Sequence, residues 1–113
     1  MITTWRKRFH DLYLKLKNEF DPRLIDRIEQ KEQIIQNAPF KFRPLKGMPI
    51  PIRKYKAGKI RILYALSTEA PELWEESPKQ PEIMFIFVGL RTDKMYKDAI
   101  KLLNKLFKSS GIY

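Results

Sequence analysis

Apolar positions recur at two different spacings along the chain, and the change of period marks out its elements. Trp5, Phe9, Leu12, Leu16 and Phe20 fall at helical intervals. That stripe predicts an amphipathic helix from Thr4 to about Asn18, with Thr3 or Thr4 as its N-cap. Asp21-Pro22 is a second helix start, with the acid at the cap and proline at the first helical position. Leu24, Ile25, Ile28 and Ile35 then give one stripe to about Gln36, so the two helices form a hairpin. Asn37-Ala38-Pro39 ends the second helix. Pro39, Pro44, Pro49 and Pro51 keep the next stretch extended and irregular.

From Lys59 to Leu66 the period is two. Ile60, Ile62, Tyr64 and Leu66 share one face of a strand, and Arg61, Leu63 and Ala65 the other. Ala57-Gly58 marks a hairpin turn from a preceding strand that begins near Ile50. Ser67 to Pro81 is a long polar connection with Pro71, Pro78 and Pro81 and four glutamates, and Leu73-Trp74 suggests one turn of helix there. Ile83 to Leu90 is almost unbroken in its apolarity, as in a central strand buried on both faces. Tyr96, Ile100, Leu103 and Phe107 predict a last helix from about Asp93 to Lys108. The fold class is α+β: an N-terminal helical hairpin on a small, antiparallel-rich sheet, followed by a C-terminal helix. No repeat or second domain interrupts residues 1–113, which read as a single domain.

Charge changes the picture. The chain has 23 Lys and Arg against 13 Asp and Glu, a formal charge of +10. Between Gln33 and Thr68 no acid occurs, yet eight cations do. Such a surface fits nucleic acid, an anionic membrane surface or an acidic protein. Cysteine is absent, which excludes disulfides and thiolate metal sites. No apolar run approaches membrane-span length, and the N-terminus lacks the apolar core of a signal peptide. The expectation is a cytoplasmic protein with no membrane partner.

The cations are also patterned. Lys54 and Lys56 alternate on one strand and project to one face. Arg61, opposite in parity to Ile60, Ile62 and Tyr64, can face the same way from the paired strand. Arg91, at the end of the apolar run, can complete a cluster of four. The plain structural readings are a solvated strand face for the lysines, an ion pair to Asp93 or Asp98 for Arg61, and core packing for Tyr96. His10, the single histidine, reads as a boundary residue, and Trp74 as a partner contact or a plug. One histidine and no cysteine leave no metal constellation, and no cofactor is expected.

Lys54-Tyr55-Lys56-Ala57-Gly58-Lys59-Ile60-Arg61-Ile62-Leu63-Tyr64 resembles the middle hairpin of the RelE/ParE toxin superfamily. Leu45-Lys46-Gly47-Met48 is similar to that family's Leu-x-Gly lead-in, and Gly89-Leu90-Arg91-Thr92-Asp93-Lys94-Met95-Tyr96 to its Gly-x-Arg…Tyr ending. The resemblance spans about Leu45 to Leu103. Two features depart from the family: the chain enters a helix at Thr4 where members open with a strand, and Ser67–Pro81 is longer than the usual tight hairpin. The longer connection suggests an insertion near the active face or an oligomer surface.

The resemblance implies a type II toxin of the RelE kind, a ribosome-dependent, metal-independent endoribonuclease that cuts mRNA through 2′-hydroxyl attack. It implies catalytic roles for Lys54, Lys56, Arg61, Arg91 and Tyr96. A lysine among cations gives up its proton more readily, which suits Lys54 or Lys56 as general base. Arg61 would clamp the phosphate through its fork, Arg91 stabilise or protonate the leaving oxygen, and Tyr96 stack on a base or assist proton transfer. Lys41, Arg43, Lys46, Arg53, Lys59 and Lys94 would contact RNA phosphates. The implied partners are the ribosome, mRNA and a cognate acidic antitoxin that covers the basic face or displaces the last helix. Two alternatives stay open: a ParE-like topoisomerase poison, and a basic nucleic-acid-binding domain without catalysis.

Overall fold

The computed structural model describes residues 4–92, 94 and 98–109. Among these, the order is β1 (Arg6–Phe9), α1 (Asp11–Asn18), α2 (Pro22–Asn37), β2 (Arg53–Ala57), β3 (Ile60–Leu66), a short 3-10 turn (Pro71–Leu73), β4 (Glu82–Leu90) and α3 (Ala99–Ser109). The strands form one sheet in the order β1-β4-β3-β2. β2, β3 and β4 run antiparallel to their neighbours, and β1 runs parallel to β4. The α+β, antiparallel-rich class read from the sequence is the one observed.

β4 is the centre. Every residue from Ile83 to Gly89 is buried, so both faces of this strand are covered. On one face the rings of Phe9, Tyr13 and Phe85 meet with centroids 5.4 to 5.6 Å apart, which docks α1 on the sheet. Met84, alternating away from Phe85, shares a cavity with Ile86 and Phe107 of α3. The register slips by one residue between Leu63 and Tyr64, whose β4 partners are Phe87 and Phe85. Ile86 is thus the extra residue of a bulge, and it lets Phe85 and Phe87 serve opposite faces.

The first helix begins later than its apolar stripe suggests. Trp5 and Phe9 belong not to a helix from Thr4 but to β1 and its approach, with Arg6 paired to Glu82 and Phe9 to Phe85. Spacing of four satisfies both a helix stripe and alternate strand positions, and the partner that decides lies more than seventy residues away in sequence. The N-cap is therefore His10, not Thr3 or Thr4: its Nδ1 accepts from the Leu12 N–H at 3.1 Å. The chain therefore opens with a strand, where its apolar spacing had suggested direct entry into a helix. α2 starts as its sequence dictates, with the Asp21 carboxylate accepting from Leu24 N–H at 3.0 Å and Pro22 at the first position. The hairpin turn is shifted by one residue: Gly58 and Lys59 connect Ala57 to Ile60. Gly58 takes φ +58° while Lys59 stays on the negative side, the pattern of a II′ turn. The start of the last helix near Asp93 lies outside the described residues.

α1 and α2 are locked by one carboxylate. Glu32, 1 % exposed, accepts from the Tyr13 hydroxyl at 2.7 Å and from Lys17 Nζ at 3.0 Å on the same oxygen. Burial, then the neighbouring Glu32 charge, pushes the Tyr13 hydroxyl far above its ordinary range, so it stays a donor. Replacing Glu32 by Ala strands the buried Tyr13 hydroxyl and leaves Lys17 only Glu29, 3.8 Å away, and should cost about 3 kcal/mol, with Glu32→Gln costing less. Urea denaturation of the two variants checks this: equal midpoints would contradict the lock.

Candidate nucleic-acid interface

Strand register decides which cations meet. Lys54 pairs with Leu63, Lys56 with Arg61, and Arg61 in turn with Gly89. Residues paired across a ladder share a face, so Lys54, Lys56 and Arg61 project to the same side of the sheet. Tyr55, Ile62 and Val88 take the other side and are buried. Arg61 is no ion-pair partner of Asp98: its Nη1 donates to the carbonyls of Gly58 at 2.7 Å and Ile60 at 3.0 Å. Arg91 is held at the same turn from the other side, its backbone N–H donating to Lys59 O at 2.7 Å. One turn therefore anchors both arginines, and Arg91 and Lys59 are exposed beside it. Lys94 is exposed on the segment beyond, while Asp93 and Tyr96 lie outside the described residues.

The remaining cations gather elsewhere. A cavity of about 600 Å³ is lined by Lys41, Phe42, Arg43, Pro44, Leu45, Lys46, Lys54 and Lys56. No acid lines it. Its outer wall runs beside β2: Leu45 N–H donates to Ile52 O at 2.7 Å and Lys54 N–H to Arg43 O at 3.0 Å. Gly47, at φ +79°, turns the chain away after that wall, which accounts for glycine in Leu45-Lys46-Gly47. Lys54 and Lys56 are common to the groove and to the Arg61 face, so the two basic regions adjoin.

Arg53 does not join them. It pairs with Tyr64 and so occupies the opposite parity. Its Nε and Nη2 clasp Glu69 at 2.9 and 2.6 Å, and Nη1 donates to the carbonyls of Phe40 and Phe42 at 3.2 and 2.6 Å. The guanidinium also lies over the Phe40 ring at 5.5 Å. The Glu69 hydrogen bond holds its proton more tightly than usual. Arg53 is a brace of the groove wall rather than a phosphate contact, and its parity alone was the available signal. Lys41, Arg43 and Lys46 of the wall were among the expected contacts; Phe42, whose ring meets Tyr55 edge-on at 4.6 Å, was missed.

A second cavity, of about 610 Å³, lies at the far edge among Arg8, His10, Asp11, Glu72, Trp74 and Phe107. Trp74 is a plug there, buried and donating from Nε1 to Glu82 at 2.8 Å. His10 borders the same space. Among the described residues no group of three or more His, Cys, Asp or Glu is placed to hold a metal ion, and no helix is long and apolar enough to cross a membrane.

A mixed sheet with this strand order, a helical pair and a C-terminal helix defines a small α+β domain of the RelE type. A chain of the toxin–antitoxin complex RelBE2 from Mycobacterium tuberculosis superposes with TM-score 0.64 at 16 % identity, covering 82 % of this chain and 98 % of that one. A chain of the archaeal RelE–RelB complex from Pyrococcus horikoshii OT3 gives 0.54 at 18 %, covering 80 % and 98 %. A mutant of the E. coli toxin RelE in the free state gives 0.56 at 19 %, covering 88 % and 97 %. The chain has the RelE fold. No family model matches it, and no curated protein matches it in sequence.

Arg53→Ala removes four hydrogen bonds from the groove wall, and Arg53→Lys keeps the charge without the fork. Both should lower stability by about 2–3 kcal/mol, and Lys should recover little of it. A thermal midpoint unchanged in either variant would show that Arg53 is not the brace.

Proposed function

We propose that this protein is a RelE-type toxin, an endoribonuclease that cuts mRNA on the ribosome through attack of a ribose 2′-hydroxyl on the adjoining phosphorus. The observation that carries the proposal is the register placing Lys54, Lys56 and Arg61 on one face, with Arg91 tethered to the turn that Arg61 caps. In-line attack needs a group to take the 2′-hydroxyl proton, positive charge on the pentavalent phosphorane, and a proton for the leaving 5′-oxygen. Lys54 or Lys56 serves as base. Arg61 braces the phosphoryl oxygens, and Arg91 meets the leaving oxygen. Tyr96 is assigned to base stacking or proton transfer by its place in the Gly-x-Arg…Tyr motif.

So small a catalytic set suits an enzyme whose substrate is oriented by a larger machine, since positioning alone supplies several kcal/mol of a barrier. The fold likeness to chains of RelE–RelB complexes supports an antitoxin partner. An acidic segment laid over Lys54, Lys56 and Arg61 would neutralise the face. The same charge favours RNA, so the two compete for one surface. Lys41, Arg43, Lys46, Lys59 and Lys94 remain as phosphate contacts; Arg53 is withdrawn from that set. A cytoplasmic location follows from the ribosomal substrate.

Toe-printing of translating mRNA tests the assignment. Wild-type protein should cut within the ribosomal A-site codon, and Arg61→Ala or Arg91→Ala should slow cutting about 10²–10³-fold without unfolding the domain. Growth arrest with no cuts would move the assignment to a topoisomerase poison, and neither effect would leave a basic binding domain.

A further inference from the structure

The groove beside β2 is built more firmly than a strip of solvated lysines needs to be. Its wall is hydrogen-bonded to Ile52 at Leu45 and to Lys54 of β2 at Arg43, and Arg53 holds the Phe42 carbonyl at 2.6 Å. The Phe42 ring is fixed by edge contact with Tyr55 and still lines the cavity. Lys41 Nζ lies over that ring, 6.0 Å from its centroid, where an incoming base would displace it toward the phosphate, and Lys54 and Lys56 also line the groove. A half-buried aromatic ring among cations and without acids is the chemistry that holds a single-stranded nucleotide: the ring takes the base, the lysines its phosphates. The volume of about 600 Å³ lies in the range of small-molecule sites. Arg61 and Arg91 do not line the groove, so it adjoins the cleavage cluster and shares only Lys54 and Lys56 with it.

We propose that this groove is a subsite for one nucleotide flanking the scissile phosphate, with its base stacked on Phe42 and its phosphate held by Lys41, Arg43 and Lys46. The subsite deepens the endoribonuclease reading and rests on it for its place along the strand. Its affinity for a base rests only on the groove. Stacking reads the π-face that every base has, so the subsite should be tolerant of sequence.

The test is fluorescence titration of a short 2′-O-methyl RNA carrying 2-aminopurine, and of its abasic counterpart, at 50 mM salt. Wild-type protein should quench the 2-aminopurine and bind the base-containing strand at least about fivefold tighter than the abasic one. Phe42→Leu keeps an apolar contact to Tyr55 but removes the π-face, and should bind both strands with the abasic affinity. Phe42→Trp should restore the preference, which separates stacking from any loss of folding. Equal binding of the two strands by wild type, no binding of either, or a preference that survives Phe42→Leu would overturn the subsite. Hexaglutamate that outcompetes RNA equally well in wild type and Phe42→Leu would give the groove to an acidic protein segment instead. Base-dependent quenching without ribosomal cleavage would sink the nuclease reading and leave the subsite; cleavage without base dependence would do the reverse.

Discussion

β4 must be dry on both faces, and the architecture follows from that demand. Seven consecutive buried positions cannot be covered by one helical layer, so α1 takes the Phe85 face while Phe107 of α3 reaches the Met84 side. β1 and β3 satisfy its two backbone edges. The β2–β3 hairpin is left at the margin of the sheet. Its inward residues complete the core, and the alternate residues, Lys54, Lys56 and Arg61, project from the other side. The bulge at Ile86 fits the same constraint, sending the flanking Phe85 and Phe87 to opposite faces.

Holding many cations close together is unfavourable, so the backbone and one acid must impose it. The lysines are fixed by ladder pairing, and Arg61 by carbonyls, with no carboxylate among the described residues paired to it. Glu69 is the exception. It neutralises only Arg53, and through Arg53 it pins Phe40 and Phe42. One glutamate from the long connection thus shapes a groove that no acid lines. Of the three remaining acids of that connection, Glu72 and Glu75 border the other cavity at the far edge of the sheet.

α2, the hairpin, β3 and β4 were legible because their signals are local: Asp21-Pro22 at a cap, a period of two around Arg61, an unbroken apolar run. β1 was not. Its four residues carry three cations, its apolar spacing also fits a helix, and only pairing with β4 makes it a strand. His10 went unnoticed as a cap for the same reason, since a helix start cannot be placed until the preceding strand is known. Of the site, the shared face of Lys54, Lys56 and Arg61 was readable from parity, and so was the odd position of Arg53. The groove wall was not, because Pro44 and Leu45 reach β2 through irregular backbone that no period describes.

The chain by itself determined its local periods, its turn glycines and the density of charge between Gln33 and Thr68, because these depend only on neighbours along the backbone. Tertiary structure alone decided which cations line the groove and which hold its wall. Arg53 and Lys54 are adjacent and chemically alike in charge, yet alternation sends one into a clasp with Glu69 and the other to the open groove. The partner across space, rather than the residue type, assigns each its work.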